Sequence, residues 1–85
     1  MTEIELDILD ELYFVTSFAE VTTNLKVEDK TLCRELGRLI NRGYVKCFFP
    51  DPDSEVDYLA ERFEDDCHKY FYLATKEGLL AHNSR

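Results

Sequence analysis

Five residues carry the chemistry most readily read from this chain: Lys30, Thr31, Arg34, Arg38 and Asn41. An arginine guanidinium is a planar fork of donors. It can serve O6 and N7 of guanine together, or two phosphate oxygens. An asparagine amide suits adenine or a phosphate. Arg34 and Arg38 are one helical turn apart, so a helix here presents both on one face with Asn41 beyond them. Lys30 and Thr31 fall near the start of that helix, where a reading helix usually meets base edges. Gly37 between the arginines leaves room for close backbone approach.

A charged outward face is also what any solvated helix shows, and Glu35 is placed to pair with either arginine. The distribution of charge separates the two readings. The chain carries a net charge of -8, unevenly spread. Up to Leu25 there are acids and neither Lys nor Arg. From Lys26 to Cys47, the bases Lys26, Lys30, Arg34, Arg38, Arg42 and Lys46 face Glu28, Asp29 and Glu35, a local balance of +3. Beyond Phe48 acids dominate again, with Asp51, Asp53, Glu55 and Asp57 close together. A whole-chain charge argues against a nucleic-acid partner; the local one argues for it.

The elements that must position these residues follow from periodicity and caps. Residues 3–15 read as a first helix with Ile4, Leu6, Ile8, Leu9, Leu12, Tyr13 and Val15 on one arc. That arc is nearly twice the roughly 100° stripe that one packing contact uses. It either packs on two sides inside the domain or gives one edge to a second copy. Ser17 with Glu20 forms a capping box for a second helix ending near Leu25. Residues 26–28 turn the chain. A third helix starts at Glu28 or Asp29, buries Leu32, Leu36, Leu39 and Ile40, and stops at Gly43.

Residues 44–49 and 69–74 are rich in β-branched and aromatic side chains and read as two strands of an antiparallel hairpin. Between them, Val56, Leu59, Ala60 and Phe63 recur at helical spacing, which predicts a short helix over 54–64 inserted in the hairpin. Thr75 caps a last short helix through Leu80 and Ala81, weakened by Gly78.

Three helices followed by a hairpin resemble the winged helix-turn-helix superfamily, most nearly the MarR/PadR-like small transcriptional regulators. The resemblance rests on Val21, Leu25, Val27, Leu32, Leu36 and Leu39, followed by Gly43-Tyr44-Val45, and on the run YLATKEG at residues 72–78. It departs from that pattern at Thr22, where a small residue is usual, and in a long acidic wing. It implies an α+β winged helix-turn-helix: three N-terminal helices, a β-hairpin wing with a short inserted helix, and a short C-terminal helix. It further implies a homodimer bound to double-stranded DNA that regulates transcription, as a repressor. Lys30, Thr31, Arg34, Arg38 and Asn41 are then the DNA-binding residues. Ile4, Leu6, Leu9, Tyr13, Leu59 and Phe63 are the expected dimer interface. The alternative is a protein-protein interaction module, with little or no DNA binding, that uses the acidic wing and apolar faces.

Other chemistry is thinly supplied. Catalysis lacks a Gly-rich phosphate loop, a nucleophile motif and any histidine besides His68 and His82, so the chain is not expected to be an enzyme. Cys67-His68 beside Asp65-Asp66, with Cys47 or His82, is a weak metal set without a paired motif, and no metal or other cofactor is expected. Residues 51–57 superficially resemble a calcium loop but lack its central Gly and distal Glu. Cys33, Cys47 and Cys67 form no CxxC and leave one over in any bridge, which reads as free thiols in a reducing compartment. Cys33 at the edge of the third helix is a candidate redox switch, with simple burial the competing reading.

The acidic start MTEIELDILDEL lacks the basic opening of a secretory signal, and no apolar run approaches the roughly 20 residues of a membrane span. A cytoplasmic protein of one domain, residues 1–85, without a membrane partner, is expected. Any signal would act through a dimer interface, a cysteine or a partner protein.

Overall fold

Two reciprocal caps start the chain's first two helices. The Thr2 hydroxyl accepts from the Glu5 N–H and the Glu5 carboxylate accepts from the Thr2 N–H, opening α1 (Glu3–Glu11). Ser17 and Glu20 repeat the arrangement at α2 (Phe18–Leu25), as their spacing predicts. The computed structural model describes residues 1–57 and 60–84. The remaining elements are β1 (Thr16–Ser17), α3 (Asp29–Asn41), β2 (Val45–Phe48), β3 (Glu55–Val56), α4 (Phe63–Asp66), β4 (Phe71–Ala74) and α5 (Lys76–Asn83). Short 3₁₀ turns, Ala60–Arg62 and Cys67–Lys69, flank α4. Among the described residues the architecture is α+β: five α-helices and one four-stranded antiparallel sheet.

The sheet runs β1-β4-β2-β3. Its centre is the pairing of β2 with β4, Val45 opposite Ala74 and Phe48 opposite Phe71, so the two strands read from composition do form an antiparallel pair. β1 joins β4 on the outer side, Thr16 opposite Tyr72. The helices pack on this sheet through one apolar core. Ile8, Leu9 and Leu12 of the α1 region, Val21, Leu32, Leu36, Leu39, Cys47 and Tyr72 are all fully buried. The Tyr72 hydroxyl, taken out of water, donates to the Cys67 carbonyl at 2.6 Å, which removes the cost of an unmade bond.

The first helix is shorter than its apolar arc suggests. It ends at Glu11, with Leu12 at its cap. The Thr16 hydroxyl donates to the Glu11 and Phe14 carbonyls, and the Ala74 N–H bonds to the Leu12 carbonyl at 2.9 Å. These partners take the carbonyls that the N–H groups of residues 15, 16 and 18 would need to continue the helix, and the chain enters β1 instead.

The inserted helix predicted over 54–64 is corrected. Residues 55 and 56 are strand, with Val56 opposite Cys47 and Glu55 opposite Phe48. Helical structure occupies 60–69. The apolar spacing that suggested one helix is divided: Val56 packs through the sheet, whereas Phe63 packs through α4 into the core. Leu59 lies outside the described residues.

The expected dimer interface is also revised. Leu9 is fully buried, Leu6 and Phe63 nearly so, and all three are enclosed by their own chain. The arc of α1 is broad because the helix packs on α2, α3 and α5 alike. Ile4 is half-buried and Tyr13 is exposed. The neighbouring Phe14, at 82% exposure, is the most exposed large apolar side chain among the described residues.

At α5 the unfavourable glycine has a reason. Thr75 caps the helix by accepting from the Gly78 N–H. A Cβ on Gly78 would collide with the Tyr44 carbonyl. The close approach outweighs the helix-propensity loss of about 1 kcal/mol.

Candidate nucleic-acid interface

α3 forms because its apolar residues recur at three and four. Leu32, Leu36 and Leu39 face the core, with Ile40 half-buried beside them. The helix ends as Gly43 predicts. Gly43 takes φ 79°, its N–H bonds to the Ile40 carbonyl, and the Tyr44 N–H reaches the Leu39 carbonyl. At the other end the turn from α2 passes through Lys26 in a left-handed conformation, φ 55°. The two helices are thus joined by the short turn 26–28.

Burying one side of α3 leaves Lys30, Arg34, Arg38 and Asn41 exposed and Thr31 half-buried, so the five residues read from spacing share the outer side of one helix. Their charges are not equivalent. Arg38 pairs at 3.3 Å with Glu35, whose carboxylate is buried at the helix flank. Arg42 reaches back to the buried Glu5 of α1 at 2.8 Å. Lys46 pairs with Glu55 across β2 and β3 at 3.4 Å. Among the described residues, Lys26, Lys30 and Arg34 make no ion pair of this kind. Lys76 on α5 is likewise without one, so three of these four cations gather at the turn and the first half of α3. The helix's own N–H groups point the same way and add to the attraction for an anion.

Glu5 responds to its setting. Burial raises its pKa, but the Thr2 N–H, the Thr2 hydroxyl and the Arg42 guanidinium together outweigh that and lower it below the ordinary carboxylate value. The carboxylate that holds Arg42 is therefore charged at neutral pH.

A cleft of about 490 Å³ runs beside this half of the helix, lined by Asp29, Lys30, Cys33, Arg34, Glu64 and Asp65. Two of these acids come from α4, which packs along α3. These α4 acids therefore sit against the basic helix, whereas Asp51 and Asp53 lie exposed in the turn that joins β2 to β3, at a hairpin tip as their position in the sequence predicts. Gly37 takes part in this packing: a Cβ there would stand 3.4 Å from the Phe63 ring. The room it provides faces α4, not an approaching ligand, which corrects the reading from spacing.

The cysteines are also reassigned. Cys33 of α3 and Cys67, next to α4, form a disulfide, with their Cα atoms 5.8 Å apart. This overturns the reading of three unlinked thiols. Cys67 is at i+4 from Phe63, so both face α3; that spacing was the signal available in the sequence. Cys47 remains unpaired and buried. Burial, with Asp57 and Glu55 nearby, pushes its thiol up to about 11, so it is protonated and unreactive at neutral pH. The candidate metal set is not assembled: Cys67 is turned inward, His68 is exposed, and Asp66 pairs with Arg62 and Lys69. Among the described residues no helix is long and apolar enough to cross a membrane.

Comparison of the chain with known protein families, with curated proteins and with solved structures gave no match.

Proposed function

We propose that this chain is a winged helix-turn-helix protein that binds double-stranded DNA sequence-specifically and represses transcription in the cytoplasm. The observation that carries this is the concentration of unspent charge at the turn and first half of α3. Lys26, Lys30 and Arg34 lie where a recognition helix enters the major groove, backed by a fully buried apolar face. The element order supports the same architecture, with α2, a short turn and α3 followed by β2 and β4, and β1 completing the sheet. In this reading Arg34 reads bases, Lys30 and Thr31 contact the strand at the helix start, and Arg38 with Asn41 contacts phosphate. Arg38 contributes less than Arg34, because Glu35 already holds it.

A homodimer fits this function, since two copies match a palindromic site. Ile4 and Tyr13 remain available to it among the residues expected to form the interface, and Phe14 adds apolar surface.

The test is a shift assay against random duplex pools at two salt concentrations. Binding that weakens steeply with salt is expected, and Arg34→Ala should cost about 1–3 kcal/mol with relaxed preference at one base position. Absence of duplex binding at low salt would reject the proposal. The second reading, a protein-protein interaction module, is favoured by one feature: Glu64 and Asp65 line the same cleft as Lys30 and Arg34 and repel phosphate there. A protein partner whose capture depends on Phe14, with no duplex binding, would establish it.

A further inference from the structure

We propose that the Cys33–Cys67 pair is a redox latch. Closed, it fixes the acidic segment at residues 60–69 beside the first half of α3 and weakens duplex binding. Open, it frees that segment to withdraw. The consequence for DNA rests on the function proposed above; the latch itself does not.

The pair cross-links α3 to the turn that follows α4, across a sequence separation of 34. Both cysteines are buried, yet Cys33 lines the open cleft with Lys30 and Arg34, which gives a small thiol reagent a way in. The reduced state is provided for as well. The Phe63 carbonyl lies 3.6 Å from the Cys33 sulfur and the Glu64 carbonyl 3.8 Å from the Cys67 sulfur. Each thiol thus has an acceptor on α4, and opening the bridge strands no buried donor. Glu64 and Asp65 share the cleft with Lys30 and Arg34, neither of which makes an ion pair among the described residues. A carboxylate held there occupies the field a phosphate would use. Cys47 lines a separate cleft on the β2–β3 side, but its thiol is kept protonated by burial and by the nearby Asp57 and Glu55, so it does not compete for the exchange.

The chemistry needs only a low-molecular-weight thiol and its disulfide. In closing, the Cys33 thiolate attacks one sulfur of the small disulfide, whose S–S bond breaks and releases one thiolate. The Cys67 thiolate then attacks the Cys33 sulfur of the mixed disulfide and expels the second. Two protein thiols are oxidised, one small disulfide is reduced to two thiols, and two electrons and two protons pass to it. Opening is the reverse.

The test uses the whole protein equilibrated with graded mixtures of glutathione and its disulfide, quenched in acid and alkylated for mass analysis. Cys33 and Cys67 should change together and Cys47 not at all. Hydrogen exchange across 60–69 should be faster in the reduced form. Reduced protein should bind duplex about fivefold tighter, the lower end of ordinary coupling between two sites. Glu64→Gln with Asp65→Asn should raise the affinity of the oxidised form toward that of the reduced one. Chemical reduction of the unaltered chain avoids reliance on Cys33→Ser, which alters a buried position; Cys47→Ser is the control. A pair that never closes, or equal exchange in both forms, overturns the latch. Unequal exchange with equal duplex affinity overturns its effect on DNA and leaves the DNA reading standing. Absence of duplex binding by either form rejects that reading, and the exchange measurement then decides the latch alone.

Discussion

In residues 17–45 the structure is made by near neighbours, whereas in residues 49–70 it is made by distant ones. Glu20 caps against Ser17, Lys26 bonds to Thr22, and Tyr44 closes α3 on Leu39. In the later stretch Val56 is fixed opposite Cys47, Phe63 lies against Gly37, and Cys67 is bridged to Cys33. The charges differ in the same way. The first region gathers bases along one helix; the second packs Glu61, Glu64, Asp65 and Asp66 into one short segment beside it. A unit that folds on local signals can thus have its exposed surface modified by a segment that depends on it for a place to dock.

The strongest test of that dependence is Phe63→Ala. The ring stacks on Tyr70 with centroids 6.1 Å apart and meets Tyr72 edge-on at 6.4 Å. If both regions share one core, the change lowers the stability of the whole chain by about 3–5 kcal/mol. Denaturant unfolding followed by two probes, one in each region, checks it. An unchanged midpoint for the α2–α3 region, with only 60–69 loosened, would show two separable units.

Acid probes the ion pair that ties Arg42, at the end of α3, to Glu5 of α1. The Glu5 pKa is lowered on folding from its ordinary value of 4.5, so its contribution is present above that pH. It is lost as pH falls from there through the lower folded value. Thermal midpoints measured from about pH 5 down to about pH 3 should decline, and Glu5→Gln should flatten part of that decline. An identical decline in the variant would remove the Arg42 pair from the account.

The smallest effect concerns the turn itself. Lys26 occupies a left-handed conformation that glycine adopts without steric cost. Lys26→Gly should stabilise by about 0.5 kcal/mol, the steric relief being offset by extra freedom in the unfolded chain. A loss of stability would show that the lysine stem makes contacts that matter more than the strain.

What was legible in the sequence follows the same division. The capping box at Ser17, the buried stripe of α3, the stop at Gly43 and the exposure of Lys30 and Arg34 are all set within about one or two helical turns. The hairpin strands were legible from their β-branched and aromatic composition. The stripe Val56, Leu59, Ala60, Phe63 misled because strand pairing with Cys47 took Val56 out of the helix, and such pairing has no local mark. Gly37 misled for a related reason: a gap in a helix surface does not say who fills it. The dimer residues Leu6, Leu9 and Phe63 looked surplus only because the depth of one shared core is not written in any single element. Thr22, where a small residue is usual, is accommodated half-buried with its hydroxyl turned back to the Ala19 carbonyl of its own helix.

The junction at Gly43 and Tyr44 has a mechanical consequence. The Thr75 hydroxyl donates to the Gly43 carbonyl at 2.6 Å, and the Thr75 N–H donates to the Tyr44 carbonyl at 2.9 Å. Gly78 keeps α5 pressed against that same peptide group. The start of α5 is therefore coupled to the end of α3 through two consecutive peptide units, as a lever is to its pivot. A torque on α5, from whatever docks there, reaches the last turn of α3 through these two hydrogen bonds as well as through the core against which Leu79 packs.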